Sequence, residues 1–146
     1  MTSVLVPVDG SENSLRALDF ACSQIAHGKP MPLLLLNVQP PNHSGVVKKY
    51  LSPELIDKFY QEEGDAALQV ARTRLDNAGI AYTAQVEVGD VAQAIARVAR
   101  EQHCSQIVMG TRGLSASGLA SISGLLMGSI ATKVLHLTDV PVTLVK

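Results

Sequence analysis

The stretch PLLLLNV, Pro32 to Val38, carries five aliphatic side chains in seven positions with no alternation of polar and apolar residues. A strand with one face in water alternates. A run this uniform reads as a strand buried on both faces, the condition of a parallel sheet covered by helices. Working toward the N-terminus, SVLVPV (residues 3–8) is another apolar run, ending at Asp9-Gly10. Pro7 lies near the end of that run, where one missing ladder bond costs little. Ser11 then suits a helix N-cap, and Leu15, Leu18, Cys22 and Ile25 recur on one stripe until Gly28.

Toward the C-terminus, PPNHSGVVKKYL (40–51) reads as a loop. Ser52 caps a helix with Pro53 at its first position and Glu54 near its positive end. That helix runs through Leu55, Phe59, Ala66 and Val70 to about Ala78, where Gly79 stops it. Residues 80–88 alternate, with Tyr82, Ala84, Val86 and Val88 on one face, and form a third strand. Gly89-Asp90 begins a helix with Val91, Ile95, Val98 and Ala99 inward. Gln106 to Met109 is a fourth, short strand. A last helix starts near Ser129, with Ile130, Val134 and Leu135 inward, and VPVTLVK (140–146) closes the chain as a fifth strand. Strand and helix alternate four times before that final strand. Such an order predicts an α/β fold: a single open five-stranded parallel sheet with right-handed crossovers and helices on both faces.

The 146 residues fit one domain spanning 1–146, with no linker or repeat to divide it. Aromatics are scarce, so the core is aliphatic and alanine-rich. A net charge of −1 and the absence of basic runs argue against nucleic acid or an anionic membrane as partner. No window has the length of a membrane span, and MTSVLVPVDG lacks the positive region of a signal peptide, so the expected location is cytoplasmic. Cys22 and Cys104 lack metal or redox spacing and read as buried thiols. His27, His43, His103 and His136 are scattered without ligand spacing.

In open α/β sheets ligands bind beyond the carboxyl ends of the strands, where the winding reverses. That rim takes in Asp9, Val38, residues 88–90, and MGTRGLSASGLASISGLLMGS, Met109 to Ser129, which holds five glycines and five serines. Gly110-Thr111-Arg112-Gly113 leaves the fourth strand and Gly128-Ser129 opens the last helix. Glycine admits an anion close to the backbone, and a helix N-terminus offers unpaired N–H groups and a positive dipole end. Neither a Walker pattern nor GxGxxG is present. On spacing alone the stretch is either an anion cradle or a plain surface loop. Its place on the rim favours the cradle.

Four motifs, in order, carry a resemblance: VLVPVDGSENS, LLLLNVQ, VGDVAQAI, and IVMGTRG with the later MGSIATKVLHLTDVPVTLVK. Together they resemble the universal stress protein family from the first strand to the last residue, leaving only residues 40–60 without recognisable features. The resemblance implies a Rossmann-like, adenine nucleotide alpha hydrolase-like fold with strand order 3-2-1-4-5. Many members of the family bind ATP and others act without it. Carried over residue by residue, the resemblance puts adenine and ribose against Pro7, Val8, Asp9 and Val38, with the Asp9 carboxylate accepting from a ribose hydroxyl or the base edge. It puts phosphates beside Met109, on Gly110, Arg112, Gly113, Gly128, Ser129 and the Ile130 amide. Mg2+ (or Mn2+) would arrive bridging the phosphates, with few or no protein ligands. It also implies a homodimer through antiparallel pairing of two C-terminal strands, 140–146.

One departure stands out. ATP-binding members space Gly, two residues, Gly, nine residues, then Gly-Ser or Gly-Thr, whereas here fourteen residues separate Gly113 from Gly128. Either Gly110 and Gly113 keep their roles and the loop is lengthened between them and Gly128, or Gly118 takes the second glycine's place with Ser115 for the first. The first alignment is preferred, because MGTRG is anchored by a strand and GS by a helix, and lengthening an anchored loop costs little closure entropy. Asp9 also has a plainer role, capping the turn after the strand. Arg112, and Lys48 with Lys49, also read as solvated surface charges. No nucleophile, base and orienting group can be brought together from the sequence, so any hydrolysis is expected to be slow. Two functions follow. The first is a cytosolic, dimeric, ATP-binding stress-response or signalling regulator. The second is a dimeric interaction module of the same fold that binds no nucleotide, with 114–127 as a protein-contact or lid loop. A flavodoxin would place a hydroxyl-rich phosphate loop where DGSENS stands, and a phospho-receiver would need paired acids there, so both fit less well.

Overall fold

The computed structural model describes residues 2–41, 52–111 and 128–146. Arg112, Gly113, the 114–127 stretch with Ser115 and Gly118, and Lys48, Lys49 and His43 lie outside them. Five strands, β1 (Val4–Pro7), β2 (Leu33–Gln39), β3 (Tyr82–Val88), β4 (Gln106–Gly110) and β5 (Val142–Val145), form one parallel sheet in the order β3-β2-β1-β4-β5. The helices between them are α1 (Glu12–His27), α2 (Pro53–Ala78), α3 (Val91–Glu101) and α4 (Ser129–Leu137). This is the fold and strand order expected above.

Both faces of the sheet are covered, which is why PLLLLNV has no polar face. Leu33 and Leu35 pack with α1 and α2 around Leu18, Leu68 and Leu75. Leu34 and Leu36 point the other way, into Ile95, Val98 and Val134 of α3 and α4. Three helices begin with side-chain caps: Ser11 accepts from the Ser14 amide, Ser52 from Leu55, and Asp90 from Gln93. Gly79 ends α2 in the left-handed conformation.

The periodicity of α2 is where sequence and structure part. The apolar positions at Leu55, Phe59, Ala66 and Val70 face solvent, while Tyr60, Gly64, Leu68, Ala71 and Leu75 are buried. Gly64 shows why. A Cβ built there would lie 2.5 and 2.7 Å from the two methyls of Val86 on β3, so only hydrogen lets the helix settle on the strand. Leu135 likewise points outward, 42% exposed, and Ala131 takes the inward position on α4 beside Val134.

Gly64→Ala is therefore expected to lower stability by about 1–2 kcal/mol in chemical denaturation, even though alanine favours a helix interior by about 1 kcal/mol. Val86 is β-branched and blocks with both methyls, so a rotamer change gives no relief. Adding Val86→Ala should recover most of the loss. A Gly64→Ala protein more stable than the parent would show that the close approach does not limit packing.

Candidate functional site at the carboxyl rim

The sheet reverses its winding at β1. Toward β2 it pairs over four positions, as far as Pro7↔Leu36; toward β4 the pairing is Val4↔Gln106 and Leu5↔Ile107 only. α1 and α2 lie on one face and α3 and α4 on the other, so a crevice opens between the carboxyl ends of β1 and β4.

On the β2 side of that crevice is a recess of about 130 Å³ lined by Pro7, Val8, Asp9, Leu36, Asn37, Val38, Gln39, Pro40 and Val91. Four residues singled out in the sequence, Pro7, Val8, Asp9 and Val38, thus share one hollow. Val8 is buried and its amide donates to the Leu36 carbonyl at 2.8 Å, so it lines the recess largely through its backbone. Gly10, at φ +87°, turns the chain sharply from β1 into α1. Asp9 Oδ1 accepts from the Ser11 amide at 2.9 Å, fixing the carboxylate at the mouth. The turn-capping role is real, and it orients the carboxylate without occupying both oxygens.

Asn37 and Gln39 were not singled out in the sequence. Asn37 is buried in β2; its Nδ2 donates to the Val8 carbonyl at 2.8 Å, and its Oδ1 accepts from Gln39 Nε2 at 2.6 Å. The only sequence signal was two polar residues, Asn37 and Gln39, in an otherwise aliphatic strand. A buried amide there needs partners, and the nearest unpaired backbone lies where β1 ends.

On the β4 side, Met109 is a core side chain, fully buried, and offers the rim only its backbone. Gly110 is explained in part by packing: a Cβ there would overlap Asn13 Oδ1 and stand 2.6 Å from Asn13 Cγ. Asn13 Nδ2 in turn donates to the Val145 carbonyl at 3.0 Å, which also receives the Thr111 amide at 2.9 Å. The first turn of α1 and the ends of β4 and β5 are tied together there.

The two ends of the glycine-serine stretch meet. The Gly128 amide donates to the Thr111 carbonyl at 2.5 Å, so the sixteen intervening residues leave and return at one point. α4 then starts at Gly128 with no side-chain cap, unlike α1, α2 and α3. Its first-turn N–H groups and dipole end rise at the rim. Gly110, Gly128, Ser129 and Ile130 therefore stand around one junction; Arg112 and Gly113 lie outside the described residues.

A profile of the universal stress protein family matches residues 1–146. The chain belongs to the universal stress protein family. It is 30% identical over 152 aligned residues to the universal stress protein YxiE of Bacillus subtilis (strain 168), covering 98% of this chain and 97% of that protein. A universal stress protein solved in complex with cAMP is 26% identical, with a TM-score of 0.71 over 99% of this chain and 97% of that one. The universal stress protein from Archaeoglobus fulgidus, solved with dAMP, shares the fold at 21% identity and a TM-score of 0.70, covering 100% and 98%.

Elsewhere the chemistry is quiet. Burial pushes the Cys22 thiol up, with Asp19 adding to the shift and Arg74 opposing it. Burial likewise raises Cys104, opposed by its hydrogen bond with Ser3. Both are poor nucleophiles at neutral pH. Among the described residues no three His, Cys, Asp or Glu side chains cluster as a metal site, and no helix is long and apolar enough to cross a membrane. A larger hollow of about 410 Å³ runs along the outer side of α3, including Val88, Asp90, Arg97, Arg100 and Leu137. Only its Val88–Asp90 end touches the rim, and Arg97 is already paired with Glu87 and Glu101. The described residues singled out in the sequence gather instead around the crevice at the winding reversal.

Proposed function

We propose that this member of the family binds ATP across the β1/β4 crevice and acts as a dimeric, cytoplasmic stress-response or signalling regulator. The observation that carries the reading is the Gly128–Thr111 hydrogen bond. It draws the glycine that leaves β4 and the start of α4 to one point at the carboxyl end of β4, the strand next to β1, whose end lines the Pro7–Val38 recess. The cAMP- and dAMP-bound relatives support an adenine nucleotide as the ligand class. The base end would enter the recess of about 130 Å³. The phosphates would lie outward, on the Gly110, Gly128, Ser129 and Ile130 backbone with Arg112 and Gly113, and carry Mg2+ or Mn2+ between them. Asp9 would accept from a ribose hydroxyl or the base edge. Pairing of β5, the edge strand, with a second β5 over residues 140–146 would form the dimer.

The packing explanation for Gly110 favours a second reading: a nucleotide-free dimeric module with the 114–127 loop as its contact element. A thermal-shift titration separates the two. At Mg·ATP concentrations about a hundredfold above Kd, binding adds about 2.7 kcal/mol, a rise of several degrees in Tm. Asp9→Asn keeps an acceptor for the Ser11 amide but removes the charge. It is expected to weaken ATP about tenfold or more while leaving the unliganded Tm nearly unchanged. No shift with millimolar Mg·ATP, and no nucleotide retained on purification, would establish the module instead.

A further inference from the structure

α2 carries two apolar stripes on nearly opposite sides. One, through Tyr60, Leu68 and Leu75, is buried on the sheet. The other is Leu55, Phe59, Ala66 and Val70, which fall within about 60° of arc at about 100° per residue and extend about 22 Å along the axis. Leu55, Phe59 and Val70 are 52%, 46% and 50% exposed. A helix on the surface of a sheet needs only one apolar face, and among the described residues nothing buries the second.

The charge around this stripe selects its occupant. Over residues 53–74 there are five carboxylates, Glu54, Asp57, Glu62, Glu63 and Asp65, against three cations, Lys58, Arg72 and Arg74, and the two arginines are already paired, with Asp65 and Asp19. Periodicity puts Glu62 and Glu63 on the two flanks of the stripe. Lys58 reaches Glu62 only at 3.9 Å with both side chains largely in water, a pair worth little. Among the described residues, no cation lies within 4 Å of Glu54 or Glu63. A second copy of α2 would bring carboxylates against carboxylates, and an anionic lipid surface would be repelled. We propose that the outer face of α2 docks a basic amphipathic helix of a partner protein, apolar stripe against apolar stripe and cations against the acidic flanks.

The probe is a fluorescein-labelled peptide of about 18 residues made of leucine and lysine, leucines at helical spacing, titrated with the full-length protein and followed by anisotropy. The lysine peptide should bind about tenfold or more tightly than its glutamate counterpart, with affinity falling as salt rises. Phe59→Ser with Val70→Ser leaves the charge unchanged and sits on solvent-facing positions, so the fold should persist by circular dichroism. It should weaken the peptide about tenfold. Glu62→Gln with Glu63→Gln should weaken it and flatten the salt dependence. Equal binding of the lysine peptide to Phe59→Ser/Val70→Ser and parent overturns the proposal. So does sedimentation showing that this variant dissolves a parent oligomer, which makes a second copy the occupant, or retention of the parent but not the variant on phosphatidylcholine vesicles.

Discussion

Gly110→Ala is expected to destabilise the protein by about 3 kcal/mol, or roughly 10 °C in Tm for a chain of this size. The new methyl would overlap Asn13 Oδ1, lie 2.6 Å from Asn13 Cγ and 3.1 Å from the Asn13 carbonyl. Asn13 cannot yield freely, because it is buried and its Nδ2 holds the Val145 carbonyl. That carbonyl also receives Thr111, whose own carbonyl holds Gly128. Displacing Asn13 therefore loosens β5 and the start of α4 together. Asn13→Ala alone should cost about 1–2 kcal/mol for the lost hydrogen bond. The double variant should be more stable than Gly110→Ala, because only the approach to the Asn13 carbonyl remains. Denaturant titration of the four proteins measures the coupling; strictly additive losses would refute the packing account. The same double variant separates two reasons for a glycine here. If Mg·ATP stabilises it as much as the parent, Gly110 serves packing alone. If its stability recovers while the response to ATP is lost, the backbone at this position also meets phosphate.

Replacing Asn37 with alanine should cost about 2–3 kcal/mol, read as a shift in denaturation midpoint with unchanged slope. Two hydrogen bonds disappear, and one lies in the interior: the Val8 carbonyl loses Nδ2 at 2.8 Å in surroundings that exclude most water. The residue after the end of β1 then loses its tether on the side facing the recess. Val8 remains held by its amide bond to Leu36, so the chain should fold while the Pro7–Asp9 corner relaxes. Where ATP binding is measurable, its affinity should drop further than stability alone explains, because in the proposed mode the base end would rest on that corner. A variant with parental stability would mean that water takes over the Val8 carbonyl and that Asn37 positions nothing.

Most of the architecture is legible in local signals. Uniform apolarity at Leu33–Leu36 announces a strand covered on both faces. Ser11, Ser52 with Pro53, and Asp90 mark helix starts through hydrogen bonds made within three residues. Gly28 and Gly79 mark helix ends. These features act over a few residues of chain, so they survive without any knowledge of neighbours. The rim residues Asp9 and Val38 were legible for a related reason: strand ends are visible in sequence, and an open α/β sheet gathers the carboxyl ends of its strands; Pro7 and Val8 entered only through the family resemblance.

What lay beyond the sequence was every choice between equivalent local options. α2 offers two apolar stripes, and periodicity cannot say which one meets the sheet; the gap opposite Val86, which only Gly64 fits, decides it. Asn37 is one polar letter among leucines until β1 ends beside it with a carbonyl to satisfy. Gly110 reads as a loop glycine until Asn13, nearly a hundred positions earlier in the chain, is packed against it. Composition and periodicity set the elements and their order, because propensity, capping and burial pattern are properties of short segments. Which faces touch, and which backbone groups are tied across the rim, depends on distances between segments far apart in the chain, and those exist only once the sheet has closed.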